Sequence, residues 1–295
     1  MIRHVLPEPE SEAKHGARSE RRSLRPRVLV ALHERAAPEE SIAMGRLVSS
    51  MLQHPLHGVF VAPSPPAMVD LPRMLQIPTH ALEGLVLEIE EGEPAGRLLE
   101  LSDSHPTAFL VVGADTGAGD KLGVGLVATR AIEESSAPVL VVRPGATPKL
   151  RRILVPLDGT PSTASALEPA TALARAAGAS LDIVLVGEAQ HLPALEHGTM
   201  SVPQYIDQAH HEWPAFSGEF VERFVHTLGH CPSDVPRRFF LGAGDPGDEI
   251  LRYASMLDSD LAVLVWHGLA SARHGAIFQS VVRQAPCPLL ILRSR

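Results

Sequence analysis

Residues 151–188 constrain the fold of this chain more than any other stretch. They begin with an apolar run at 153–155, which predicts a buried strand. Residues 167–177 then place apolar side chains at helical spacing, with Gly178 as a suitable stop, and 181–186 is a second apolar run. A strand, a helix and a strand in so short a span predict a parallel crossover unit, whose sheet is covered by helices on both faces.

Two features inside this unit bear on the shape of its helix and on ligand binding. Pro169 lies within the helical spacing, and a proline in a helix interior costs about 3 kcal/mol, so we expect a kink or a late helix start. Asp158-Gly159-Thr160-Pro161 comes after the first strand with typical turn chemistry. Ligands of open parallel sheets bind at the carboxyl ends of the strands, which is where Asp158 lies.

The order of elements in the first half of the chain repeats in the second half, so the sequence indicates an internal duplication. His33 corresponds to Asp158 at an offset of 125 residues, whereas Gly125 corresponds to Gly275 at an offset of 150. The difference lies in an insertion at about 188–217, which we interpret as a hairpin or flap containing Tyr205, Trp213 and Phe216. The predicted organisation is a disordered tail at 1–26, a first domain at 27–143, a linker at 144–150 and a second domain at 151–295.

Composition narrows the class of protein. A chain of 295 residues with 45% apolar residues and only 4% aromatic residues suits two domains with aliphatic cores. The net charge of −8 argues against nucleic-acid binding. No apolar run approaches the roughly 20 residues that span a bilayer, and the amino terminus has no apolar signal region. Cys231 and Cys287 form no disulfide framework, so we expect reduced thiols in the cytoplasm.

Several separate motifs resemble one known family. The segment ILVPLDGTPSTASALEPATALARAAGA resembles the opening of a universal stress protein domain, and DSDLAVLVWHG with SVVRQAPCPLLILR resembles its close. Gly244-Asp245-Pro246 resembles the turn before the fourth helix of that family, and Gly92-Glu93-Pro94 is its counterpart in the first half. We expect the helix after this counterpart to begin at Leu98 and Leu99. The resemblance implies an α/β fold of two tandem, doubly wound, Rossmann-like parallel-sheet domains. It also implies a cytoplasmic stress-adaptation protein that acts by binding and is not an enzyme.

Nucleotide-binding members of this family combine an acid after the first strand, a backbone contact from the end of the second, and a glycine loop before the last helix. In the second half the resemblance assigns these roles to Asp158, Val186, Gly268 and Gly275. Val265 replaces the first glycine of the loop, the bulky Trp266 is next to it, and Ala276 replaces the usual hydroxyl residue. Only six residues separate the two glycines, where the family has nine.

The first half departs from the pattern in other ways. Gly113, Gly117 and Gly125 are present at altered spacings, Leu126 replaces the hydroxyl residue, and His33 replaces the acid. Glycine loops close backbone N–H groups around phosphates, but glycines also serve turns and close packing. Three functions therefore stay open: a binding protein with degenerate adenine-nucleotide sites, an ATP-binding switch that uses the second half, and a nucleotide-free scaffold.

Other chemistry has weaker support in the sequence. His226, His230 and Cys231, with His210 and His211 upstream, do not have the spacing of a compact zinc site, so we predict no metal. Ser136 and Cys287 lack a base in a recognisable order, so we predict no catalytic residue.

The last expectation concerns assembly. Residues 138–142 and 288–292 are continuous apolar strands that end each half, and an open apolar edge invites aggregation. In the family resembled, the final strand commonly pairs with its copy in a second subunit. Here the duplication supplies that copy within the chain, and the short linker raises its effective concentration. We therefore predict that the halves pair through these strands as an intramolecular pseudo-dimer, which could associate further into a homo-oligomer. The alternative is that each half pairs with another chain, which leaves the halves extended.

Overall fold

The computed structural model describes residues 25–115, 120–187, 234–268 and 272–293. This part of the chain forms one ten-stranded sheet and eight α-helices. The strands are β1 (Arg27–Leu32), β2 (Leu56–Ala62), β3 (Val86–Glu91), β4 (Thr107–Gly113), β5 (Val139–Val142), β6 (Arg152–Leu157), β7 (Ser180–Gly187), β8 (Arg237–Ala243), β9 (Leu261–Trp266) and β10 (Leu289–Arg293). The helices are α1 (Pro38–Leu52), α2 (Leu71–Met74), α3 (Pro94–Ser104), α4 (Leu126–Glu134), α5 (Pro161–Ala164), α6 (Leu167–Ala177), α7 (Pro246–Met256) and α8 (Ala272–Gln284).

The strand order is β3-β2-β1-β4-β5-β10-β9-β6-β7-β8. Neighbouring strands are parallel within each half, and in the described sheet only the β5–β10 pair at the centre is antiparallel. Each half thus has the doubly wound strand order 3-2-1-4-5. Successive strands are added toward one edge of the sheet up to the third strand and toward the other edge from the fourth, so the order reverses between the first and fourth strands. The predicted α/β fold of two doubly wound parallel halves is confirmed, and the switch points lie between β1 and β4 and between β6 and β9.

Helices cover both faces of this sheet and enclose two aliphatic cores. One core lies under α1, α2 and α6, and the other under α3, α4, α7 and α8. Central strands such as β6 and β9 are buried almost throughout, because side chains on both of their faces meet helices. Burial of both strand faces explains why these strands appear in the sequence as continuous runs of Val, Ile and Leu.

The helix after β6 begins late, as predicted. The single turn of α5 ends at Ala164, and α6 starts at Leu167. Pro169 is therefore in the first turn of α6, where a missing N–H costs little. Gly178 ends the helix with φ 64°, a left-handed conformation that favours glycine.

The paired glycine-acid-proline turns are helix caps. The Glu93 carboxylate accepts hydrogen bonds from the N–H groups of Ala95 (3.0 Å) and Gly96 (2.7 Å). The Asp245 carboxylate does the same for α7. The expectation that the helix of the first half begins at Leu98 is wrong: it begins at Pro94, because the acid satisfies its free N–H groups and proline suits its first position.

The two halves pair through β5 and β10 within the chain. Leu140 lies opposite Leu290 and Val139 opposite Ile291, all of them buried. Two arginines reach across this seam. The Arg143 guanidinium donates to the backbone carbonyl of Val282 at the end of α8, and Arg293 donates to that of Glu134 (3.2 Å) at the end of α4. The intramolecular strand pairing is confirmed, and a cation caps each final helix from the opposite half.

Some expectations fall on residues outside the described ranges. These are the tail at 1–24, the insertion at about 188–217 with its aromatic residues, and the histidines and cysteine at 210–231. Within the described ranges, none of the helices has the length and apolar content needed to cross a membrane.

Candidate functional site

The candidate site of the second half lies where β6, β7 and β9 end. The three strands are parallel neighbours, so their carboxyl ends meet at one edge of the sheet. The paired register of β6 and β7 stops at Leu157 and Leu185, so Asp158 and Val186 are each the next residue on adjacent strands. Gly268 lies just beyond β9 on the other side of β6. The topology thus brings together the predicted acid, the predicted backbone contact and the start of the glycine loop.

Asp158 organises its own turn. Its Oδ1 atom accepts hydrogen bonds from the Thr160 N–H (2.9 Å), the Thr160 hydroxyl (2.7 Å) and the Thr163 hydroxyl (2.5 Å). The Asp158 N–H donates in return to Thr163 Oγ1 (3.2 Å). The Asp-Gly-Thr-Pro-Ser-Thr order, typical of side-chain capping, could have identified both threonines from sequence, which we missed. The turn holds the carboxylate at the strand end.

The strand ends beside Asp158 carry buried side chains. Val186 is buried, so its backbone and not its side chain is what a ligand could contact. Trp266 is also buried, with its ring 4.5 Å from that of Phe278 in α8. The bulky indole that the sequence places beside the replaced glycine therefore packs into the core. Because Phe278 belongs to α8, the fluorescence of Trp266 is sensitive to the position of this helix.

The two loop glycines of the second half border open space. Among the residues that the structure describes, a Cβ built on Gly268 or Gly275 would meet no atom within 4 Å beyond its chain neighbours and its own helix backbone. Gly268 has φ 74°, which an L side chain rarely adopts. Gly275 lies in the first turn of α8, next to the exposed Ala276. A ligand could thus approach the backbone and the positive end of the α8 dipole.

The corresponding crevice in the first half is closed. A Cβ on Gly113 would lie 1.5 Å from the carbonyl oxygen of Ala36. The turn after β1 therefore rests directly on the end of β4, and only glycine fits there. In the second half the strand pairing places Val265 at the position of Gly113, because Val265 pairs with β10 as Gly113 pairs with β5. Since valine has a side chain, the turn after β6 must lie further from β9. His33, the counterpart of Asp158, accepts from the Arg35 N–H through Nδ1 (3.2 Å).

The glycine loop of the first half is occupied by the chain itself. The Asp120 carboxylate accepts hydrogen bonds from the Gly125 N–H (2.8 Å) and the Thr129 hydroxyl (2.6 Å) at the start of α4. Burial alone would raise the pKa of Asp120, but the hydrogen bonds from Thr129 and Gly125 outweigh it and lower that pKa. Gly117 lies outside the described ranges. The sequence analysis missed Asp120, although an acid between loop glycines was a visible signal.

The surroundings of Cys287 and Ser136 determine how reactive the thiol and the hydroxyl are. Cys287 is buried, and burial, reinforced by the charge of Asp260, raises the pKa of its thiol to about 12. The thiol therefore stays protonated at neutral pH. Ser136 donates to Asp103 Oδ1 (2.6 Å) at the surface. Across the described ranges, no three histidine, cysteine or acidic side chains converge as metal ligands.

The comparisons with known proteins agree with this architecture. Residues 149–293 match the model of the universal stress protein family. Universal stress protein YxiE of Bacillus subtilis is 28% identical over 147 residues, which are 48% of this chain and 98% of that protein.

Solved structures extend the likeness to both halves. A universal stress protein from Archaeoglobus fulgidus is 16% identical, with a TM-score of 0.59 over 90% of this chain and 98% of its own. A protein of unknown function from Pseudomonas aeruginosa is 16% identical, with a TM-score of 0.64 over 92% of this chain and 93% of its own. At these identities the likeness shows the fold alone. The second half of this chain thus carries a universal stress protein domain, and both halves share the fold of solved universal stress proteins.

Proposed function

We propose that this chain acts in stress adaptation by binding one adenine nucleotide in its second half, without turning it over. The observation that carries the proposal is that a Cβ on Gly268 or Gly275 would meet no atom of the described residues within 4 Å, apart from chain neighbours and the helix backbone. The equivalent region of the first half is filled by the Ala36 carbonyl and the Asp120 carboxylate. Two solved family members hold cAMP and AMP, but their likeness to this chain, with TM-scores of 0.35 and 0.32, assigns no ligand to it.

The chemistry of the second half suits a nucleotide phosphate. Residues 267–274 read HGLASARH, with one arginine, two histidines and no acid. Such a loop, leading into the amino terminus of α8, favours an anion. The Asp158 carboxylate is an acceptor and lies at the switch point between β6 and β9, where it suits an adenine or ribose donor. The phosphates would then lie on the loop side.

A nucleotide-free scaffold is the competing function. It is favoured by the three hydrogen bonds that Asp158 Oδ1 already accepts from its own turn. In a scaffold the acid stabilises the turn and recognises nothing. The two functions differ in one measurable respect, which is whether the purified chain binds ATP.

Calorimetric titration with ATP is expected to show one site per chain. Asp158→Ala should weaken binding about 10- to 100-fold, because a hydrogen bond to a charged group contributes about 1.5–3 kcal/mol. The matched control is His33→Ala, the same position in the first half, which should leave the affinity unchanged. In a Trp213→Phe background, Trp266 fluorescence should track the same titration. If only His33→Ala weakened ATP binding, the site would lie in the first half and the assignment would be wrong. If the wild type bound no ATP at all, the scaffold function would be favoured.

ATP turnover by the purified chain is expected to stay far below the roughly 1 per second of slow kinases. Phosphoryl transfer needs a positioned water and a cation clamp, and the loop at 267–274 contains no lysine. Phosphate release should be measured for the wild type and Asp158→Ala in parallel, so that a contaminating ATPase shows as equal activity in both. Kinase-like turnover that disappears with Asp158→Ala would show that the chain is an enzyme.

A further inference from the structure

We propose that Asp120 is an internal substitute for a bound anion, and that it determines which half of the chain accepts a phosphorylated ligand. Its carboxylate occupies the first-half loop where phosphate oxygens would accept hydrogen bonds. The occupation of this loop depends on the first half alone. The consequence, that phosphate binding is confined to the second half, rests on the function proposed above.

The donors around Asp120 converge from the loop and from α4. Oδ1 accepts from the Gly125 N–H (2.8 Å). Oδ2 accepts from the N–H groups of Leu122 and Gly123, both at 3.1 Å, and from the Thr129 hydroxyl at 2.6 Å. Backbone N–H groups of a glycine loop, a hydroxyl and a helix amino terminus are the donors that proteins use for phosphate. Here a carboxylate of the chain already satisfies them.

The loop is held in place from both halves. The Lys121 carbonyl accepts from Arg283 (3.0 Å) and from Gln279, which both lie on α8 of the second half. The Lys121 ammonium pairs with Glu133 (2.8 Å) on α4 of its own half. Contacts on two sides of the adjacent residue fix the backbone at Asp120. A free anion would therefore have to displace an acid that is positioned in advance.

The second half lacks this acid in its sequence. At the offset of 150 that relates Gly125 to Gly275, Asp120 corresponds to Ala270 and Thr129 to Gln279. An alanine side chain cannot accept hydrogen bonds from the loop, and residues 267–274 contain no other acid. The sequence of the second-half loop thus offers no carboxylate that could replace the negative charge of a phosphate. This difference assigns the anion to the second half.

Chemical rescue by inorganic phosphate tests the proposal. Asp120→Ala should lower the unfolding temperature, and phosphate should restore it by about 2–4 °C relative to sodium chloride at equal ionic strength. The matched control is Glu93→Ala, which removes another helix-capping carboxylate with the same charge but frees no glycine loop. Phosphate bound in the second half raises the unfolding temperature of the wild type and of both variants by the same amount, so its effect cancels in the comparison. Equal responses of the two variants would overturn the proposal.

A residue-specific measurement accompanies the rescue. In Asp120→Ala, phosphate should shift the amide resonances of Leu122, Gly123 and Gly125, whereas in the wild type those resonances should not move. A wild-type shift would show that Asp120 does not exclude the anion, whatever the variant does. Should Asp120→Ala fail to fold, Asp120→Ser retains a capping oxygen and is measured in its place. Failure of the wild type to bind ATP would contradict the proposed function and leave this comparison intact.

Discussion

Gly113→Ala is expected to lower the free energy of unfolding by about 3 kcal/mol, the upper end of what overpacking a core usually costs. The added Cβ would lie 1.5 Å from the carbonyl oxygen of Ala36 and 2.4 Å from its carbon. Both are backbone atoms of the turn between β1 and α1, so no side chain can rotate out of the way. Relief requires β4 or the turn to move, although Gly113 is paired with Val142 of β5.

Gly275→Ala is the matched control for this experiment, since it makes the same chemical change in the loop-helix region of the other half. Its Cβ would meet no atom of the described residues within 4 Å beyond its own helix backbone and chain neighbours, and alanine is favoured over glycine in a helix by about 1 kcal/mol. Urea unfolding of both variants should show a lower midpoint for Gly113→Ala and an unchanged or higher one for Gly275→Ala. Equal midpoints would mean that the turn after β1 yields easily, and that the first-half crevice is not closed by packing.

The fold could be predicted because its signals are local or periodic. The apolar runs of β6 and β7 are strands buried on both faces, and the proline at 169 predicts the late start of α6. The pairing of β5 with β10 was predictable from two apolar strand ends, a short linker and the way final strands pair in the family that the sequence resembles. The start of α3 at Pro94 was missed because Glu93 was interpreted as part of a turn, although its carboxylate caps the helix.

The candidate site could be predicted only in outline, because a glycine in the sequence does not reveal what lies opposite it. Gly113 faces the Ala36 backbone, a Cβ on Gly125 would lie 3.0 Å from that of Asp115, and a Cβ on Gly268 would meet no described residue within 4 Å except its chain neighbours. The three glycines look equivalent in the sequence pattern, but their surroundings in the fold differ. Contacts with residues distant in the sequence determine whether such a glycine packs against the chain or leaves room for a ligand. Asp120 was missed for a different reason: its hydrogen bonds from Gly125 and Thr129 are local, and the acid between the loop glycines was a visible signal that was overlooked.

Ile291→Lys is expected to separate the two halves and to lower the free energy of unfolding by about 3–5 kcal/mol, the scale for a buried charge without a partner. Ile291 is 2% exposed and lies opposite Val139 in the antiparallel pair at the centre of the sheet. An ammonium group there has no route to solvent while β5 and β10 stay paired. Opening this seam would also break the contacts from Arg143 and Arg293 to the opposite helices.

The separation should appear as a larger radius of gyration by X-ray scattering with an unchanged subunit number by light scattering. Leu126→Lys is the matched control, because it makes a similar change from an apolar residue to lysine at a side chain that is 63% exposed, and it should alter neither quantity. Both halves keep their own parallel strands in Ile291→Lys, so each should retain its helical signal. A variant that instead falls from a dimer to a compact monomer would show that β10 pairs between chains in solution, and that the seam within one chain does not hold the halves together.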